Sequence, residues 1–139
     1  MSTAVPPPPS TPEVTDGVRR VVAEALARKV DEVRAESVLM ADLGAESLDF
    51  LDIVFQIEQH FAIEITRGEM ERAARGDMSE DEFAPGGVIS ERGLATLKIL
   101  MPEAADRIRP GLRPMEILSL FTVQTFVNIV EAKRAGRTA

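Results

Sequence analysis

"DLGAESLDFLDIVFQIEQHF", residues 42–61, sets one serine, Ser47, at the mouth of a strongly apolar helix. Phe50, Val54, Ile57 and Phe61 fall on one face at i, i+4, i+7 and i+11, while Asp49, Asp52, Gln56 and Gln59 fall on another. Between them Leu48, Leu51 and Phe55 form a further apolar strip. A helix of a small domain needs one buried face, so this extra strip either packs against more protein or stays exposed for a partner. The spacing predicts a helix over 47–61, entered through Gly44, a residue suited to backbone geometry that others avoid.

Outward from this helix the chain reads as more helices. Val18, Val21, Val22, Ala25 and Leu26 make an amphipathic stripe, predicting a first helix from Thr15 to near Lys29. Residues 30–46 mix charge with the single anchors Val33, Val38, Leu39 and Leu43, as a long loop pinned to a core would. At the other end "TVQTFVNIVEAKR" predicts a last helix capped by Thr122, with Val123, Phe126, Val127 and Val130 buried and Lys133 and Arg134 at its C-terminal end.

Residues 66–121 are less regular. "RGEMERAARG" predicts a short polar helix ending at Gly76, and Ser79 and Glu82 stand at capping-box spacing. Beyond the Pro85, Gly86, Gly87 break, Ser90 is placed to cap a helix carrying Leu94, Leu97 and Leu100 up to Pro102. "RPGLRP" reads as an ordered turn, and Pro114 opens a short helix, "PMEILSLF". No segment alternates as a strand does, so the predicted fold class is all-α.

Composition narrows the function. The chain has 139 residues and a formal net charge of -7, which suits one compact domain and argues against nucleic acid, whose binding needs cationic side chains. With no Trp or Tyr there is no evident base-stacking platform. Absence of Cys removes disulfides, thiolate metal sites and cysteine nucleophiles, and suits a reducing compartment. "MSTAVPPPPSTPE" lacks the features of a secretory signal and reads as a disordered leader, with a ligand for a proline-reading domain as the alternative. No apolar run is long enough to cross a bilayer, and the expected location is cytoplasmic.

Three readings of Ser47 follow. It can be the N-cap of its helix, a position where serine is preferred. As a nucleophile it lacks a base: the sole histidine, His60, sits at the far end of the same helix, about 20 Å away at 1.5 Å per residue. The window also fails the G-x-S-x-G elbow, since Leu48 follows the serine. Glu46, Asp49, Asp52 and Glu58 match neither a di-metal bundle nor a calcium loop, and read as a solvated face, so neither a catalytic set nor a metal site is expected. The third reading is covalent attachment.

On that reading the chain resembles the acyl carrier protein family. Residues 42–65, "DLGAESLDFLDIVFQIEQHFAIEI", are similar to the family signature D-x-G-x-x-S-L followed by a helix of acidic and apolar residues, and "TVQTFVNIV" resembles the family's final helix. The resemblance covers roughly residues 13–66 and 115–135, and it implies a four-helix bundle. Residues 67–114 then form an extra helical insertion between the second helix and the last, within a domain spanning 13–135. Residues 1–12 are the leader and 136–139 a tail.

The resemblance further implies 4′-phosphopantetheine on Ser47 through a phosphodiester, with Asp42, Gly44, Leu48 and Asp49 matching the motif around the attachment serine. A growing or finished acyl chain would ride on it as a thioester. Leu48, Asp49, Leu51, Asp52, Phe55 and Glu58 correspond to the surface bound by partners with basic docking patches. These are a phosphopantetheinyl transferase, acyl-ACP synthetases, ketosynthases and acyltransferases. The chain is thus expected to be a monomeric carrier and not an enzyme. Where the family has Asp before the serine, this chain has Glu46, which keeps the charge.

Long carriers with a similar "SLDFLDIVF" helix point to a specialised long-chain lipid pathway. Leu94, Leu97, Leu100, Ile117, Leu118 and Leu120 would then either enlarge the core to shelter a longer chain or only pack the insertion onto the bundle. Arg107, Arg109 and Arg113 form a basic island that reads as a solvated loop, with the cofactor phosphate or a partner's carboxylates as alternatives. Two rival functions stand beside the carrier: a peptidyl carrier domain, disfavoured by the acidic second helix, and a helical interaction module whose Ser47 is only a cap.

Overall fold

A computed structural model describes residues 12–65 and 72–136. The long helices are α1 (Pro12–Ala25), α3 (Ser47–Phe61) and α6 (Val123–Gly136), with short helices α2 (Leu39–Leu43) and α4 (Glu80–Phe83) and a ten-residue α5 (Glu91–Leu100). Turns of 3-10 helix cover Val30–Glu32, Pro85–Gly87, Pro102–Arg107 and Pro114–Leu120. Among the described residues no strand forms; the sole sheet-like feature is an isolated antiparallel bridge between Val38 and Thr122. The class is all-α. Most of the leader, the tail beyond Gly136 and the first residues of the expected polar helix lie outside the described residues; 72–75 are helical.

α1 packs on both α3 and α6, with Val14, Val18, Val21 and Val22 buried along one stripe. It starts earlier and stops sooner than the apolar stripe suggests. Ala27 takes a left-handed φ of 56°, and the Arg28 amide turns back to the Ala23 carbonyl at 2.8 Å, a Schellman-type stop made without glycine. Gly17 lets α3 come close, since a Cβ there would lie 2.7 Å from Phe61 Cζ.

The face that α3 buries differs from expectation. Phe50, Ile53 and Ile57 are its buried residues, whereas Val54 and Phe61 are half-buried. Ile53 takes the place of Val54 in the buried stripe, on a helix that packs against α1, a tertiary choice between two apolar strips. Phe50, Phe121 and Phe126 meet in a ring cluster with centroids 5.4 to 6.2 Å apart, fixing α3 against the entry to α6.

The supposed loop 30–46 is largely ordered. Arg19 of α1 donates to the Val33 carbonyl at 2.6 Å and the Val30 carbonyl at 2.9 Å, tying the 30–32 turn to the helix. Beyond it the chain runs against the start of α6: Leu39 N–H donates to Phe121 O, Val123 N–H to Ser37 O and Gln124 N–H to Ala35 O, at 2.8 to 3.1 Å. Thr122 caps α6 as expected, in a reciprocal box with buried Thr125 at 3.0 and 3.1 Å.

Local signals between α3 and α6 hold. Ser79 and Glu82 exchange capping hydrogen bonds at 2.9 and 3.1 Å, and Ser90 Oγ accepts from Gly93 N–H at 3.1 Å. Gly93 is buried against Ile89 and Phe83. Leu94, Leu97 and Leu120 join the same core as the long helices, Ile117 and Leu118 pack at its edge, and Leu100 is exposed. Glu103 fastens the 102–107 turn to α6, accepting from Thr125 Oγ1 at 2.6 Å and Asn128 Nδ2 at 3.1 Å.

Candidate functional site

Ser47 sits where a turn between two helices delivers it. α2 has only five residues and is too short to persist by itself. Its first turn is held by Asp42, whose carboxylate accepts from Val38 N–H at 2.8 Å. Its end is an αL turn: Gly44, at φ 73°, donates to Met40 O at 3.1 Å, and Ala45 N–H reaches Leu39 O at 2.9 Å. Ala45 is buried and anchors the turn to the core, while Gly44, Glu46 and Ser47 face solvent.

The cap of α3 is not Ser47. Glu46 is the N-cap residue, with extended backbone, and its N–H donates to Asp49 Oδ2 at 2.7 Å. Ser47 is therefore the first residue inside the helix. Its Oγ makes no hydrogen bond among the described residues and its side chain is exposed. The first turn of the helix around it presents N–H groups without intrahelical partners and the positive end of the helix dipole, a favourable seat for a phosphate. Nothing here crowds a phosphodiester on Oγ, so the residues fit a phosphopantetheine group.

Down α3 from Ser47 the apolar strip is open to solvent: Leu48 is 76% exposed, Leu51 58% and Phe55 59%. Fully burying such a side chain is worth about 1.5 to 3 kcal/mol, so the strip holds substantial unused burial energy. Asp49 and Asp52 edge it, Asp52 accepting from Gln56 Nε2 at 3.1 Å. Glu58 is drawn elsewhere, its Oε2 accepting from Ile65 N–H at 2.8 Å as the chain leaves α3. Gly44, Leu48 and Asp49 stand within three residues of Ser47, Asp42 lies in the short helix that leads to it, and Leu51, Asp52 and Phe55 follow along α3.

Other candidates separate from this site. His60 lies at the far end of α3, edge-on to Phe61 with ring centroids 4.6 Å apart. Arg107 lines a cleft of about 300 Å³ with Glu36, Glu103, Thr122 and Gln124, Arg109 Nε donates to Asp106 O at 2.9 Å, and Arg113 is exposed at the next turn. Among the described residues no cluster of three His, Cys, Asp or Glu side chains gathers as around a metal ion, and no helix is long and apolar enough to cross a membrane. Residue-by-residue reading missed Arg28, whose Nη2 donates to Leu43 O at 3.1 Å. Its partner is 15 residues away, and no local pattern announces it.

A helical bundle presenting an exposed serine at the head of an acidic, apolar-edged helix is the architecture of a phosphopantetheine-bearing carrier domain. A family model described as "Phosphopantetheine attachment site" matches residues 16–74. "Acyl carrier protein 3" of Ralstonia nicotianae is 46% identical over 55 residues, 40% of this chain and 63% of that protein. The "Acyl carrier protein" of Campylobacter hominis is 43% identical over 43% of this chain and 76% of its own, and that of Wolinella succinogenes 41% identical over 44% and 80%. No solved structure gives a significant match. The chain belongs to the acyl carrier protein family, whose members are carriers and not catalysts and whose prosthetic group is 4′-phosphopantetheine.

Proposed function

We propose that this protein carries an acyl chain as a thioester on 4′-phosphopantetheine attached to Ser47 Oγ. The observation that carries the reading is the position of Ser47: an exposed hydroxyl inside the first turn of α3, with the capping role already filled by the Glu46 N–H and the Asp49 carboxylate. This removes the main argument for a serine that is only a cap. In the attachment step Ser47 Oγ attacks the pantetheine-side phosphorus of coenzyme A. The new O–P bond forms as the pyrophosphate bond breaks, adenosine 3′,5′-bisphosphate leaves, and the hydroxyl proton passes to a base on the transferase. The arm, when bound, supplies the thiol, which this Cys-free chain lacks.

Asp42 and Gly44 hold the turn, Asp49 holds the helix entry, and Leu48, Leu51 and Phe55 with Asp49 and Asp52 make the face for enzymes with basic docking patches. These include the transferase and acyl-processing synthetases, ketosynthases or acyltransferases. Complementary charge gives fast, salt-sensitive encounters that suit a shuttle. The acidity of this face favours an acyl over a peptidyl carrier. We assign the protein to the cytoplasm, as a monomer, with residues 13–135 forming the carrier domain.

The finer reading is a specialised, long-chain role, supported by Leu94, Leu97 and Leu120 of the segment between α3 and α6 entering the shared core. Intact mass after incubation with coenzyme A and a phosphopantetheinyl transferase tests the attachment: wild type gains one phosphopantetheine and Ser47→Ala gains none. Thermal stability of proteins loaded with acyl chains of increasing length tests the long-chain role, because a chain sheltered only in the folded state raises the melting temperature. A flat series would leave those leucines as packing alone.

A further inference from the structure

The turn that delivers Ser47 is secured from both sides by charged side chains. Asp42 holds the start of α2 at Val38 N–H. At its end, the amides of Gly44 and Ala45 are satisfied by the Met40 and Leu39 carbonyls, while the Leu43 carbonyl accepts from Arg28 Nη2 at 3.1 Å. Arg28 is well placed for this because α1 stops abruptly: the left-handed Ala27 and the bond from Arg28 N–H to Ala23 O fix the backbone from which its side chain departs. α1 in turn packs on both α3 and α6.

We infer that Arg28 is a positioning residue for Ser47: its guanidinium ties the Leu43–Glu46 turn to α1 and brings a cation to the foot of the phosphate-bearing loop. The inference rests on the attachment reading above. A guanidinium carries five N–H donors, and the bond to Leu43 uses one of them. Its Nη2 would lie 3.9 Å from a Cβ placed on Gly44, three residues before the serine, in a stretch whose other charged residues, Asp42, Glu46 and Asp49, are all acidic as the negative phosphodiester is added. Arg28 does not touch the reacting atoms; it acts through the turn.

The test compares wild type, Arg28→Met, which keeps the apolar stem, and Arg28→Lys, which keeps the charge and one donor set. Two readouts are taken on the full chain below its melting range. Amide hydrogen exchange at Gly44 and Ala45 is expected to quicken roughly two- to tenfold in Arg28→Met, the worth of one net hydrogen bond. In transfer from coenzyme A, kcat is expected to fall by a similar factor at unchanged KM, with Arg28→Lys recovering most of the loss. Unchanged exchange and kcat in Arg28→Met overturn the inference, as does a change confined to KM, which would place Arg28 in the transferase contact. A wild type that takes up no phosphopantetheine overturns the attachment reading instead, and the exchange readout still decides whether Arg28 holds the turn.

Discussion

Thr125 donates its hydroxyl to Glu103 at 2.6 Å, joining the first turn of α6 to a 3-10 turn that lies 22 residues earlier in the chain. Thr125 is buried, and its oxygen also accepts from Thr122 N–H, so the carboxylate completes a network at the head of the last helix. Glu103→Ala leaves that hydroxyl and Asn128 Nδ2 without this acceptor. A loss of about 1 to 3 kcal/mol in unfolding free energy is expected. Urea denaturation checks it, and a change below about 0.5 kcal/mol would show that water replaces the carboxylate.

Ser47→Ala is expected to leave stability within about 0.5 kcal/mol of wild type, as for a surface change, whereas Asp49→Ala, which removes the acceptor of Glu46 N–H, costs about 1 kcal/mol. Thermal melts of the unloaded proteins separate the two. The reverse order would return the capping role to the serine.

Within α3 the two apolar strips should respond oppositely. Ile53→Ala, at a fully buried site, is expected to cost about 2 to 5 kcal/mol. Leu51→Ala, at an exposed one, is expected to cost less than about 0.5 kcal/mol while weakening kcat/KM for loading by the transferase. Equal destabilisation would mean that the exposed strip is covered by the protein itself.

Gly93→Ala tests the packing of α5. Alanine is the better helix former, yet its Cβ would stand 2.7 Å from Ile89 Cγ2, 2.9 Å from Phe83 Cδ1 and 3.0 Å from the Phe83 carbonyl oxygen. The backbone carbonyl cannot swing aside, so overpacking outweighs propensity and a net loss of about 1 to 3 kcal/mol is expected in chemical denaturation.

If charge steers docking on α3, kcat/KM for loading falls as NaCl rises from about 0.05 M to about 0.5 M, since screening shortens the reach of surface charges. Asp52→Asn should flatten that dependence. A salt-independent rate would assign recognition to the apolar strip alone.

What the sequence disclosed was what short-range chemistry determines. α3 runs over Ser47–Phe61 as its periodicity predicts, and Thr122, Ser79 and Ser90 cap where their spacing placed them, because a capping hydroxyl and the N–H that donates to it lie three residues apart. The end of α1 was not legible, since Ala27 adopts a conformation that sequence reading reserves for glycine. Nor was the choice of Ile53 over Val54, which depends on tertiary packing against α3. The cap of α3 fell to Glu46 and not to Ser47, a one-residue difference that decides whether the hydroxyl is occupied. Arg28 with Leu43 and Glu103 with Thr125 join residues far apart in sequence, and only the folded chain brings them together.

The bridge between Val38 and Thr122 has a consequence for how this protein can change over evolutionary time. It closes a short circuit in which residues 35–50 and 121–126 brace one another, while the described residues between α3 and α6 join it through the core and through Glu103 on Thr125. Closing a longer segment adds only a logarithmic entropic cost. Length changes in the exposed turns of that segment therefore add little chain-closure cost, so long as its core residues and the bond from Thr125 to Glu103 are kept.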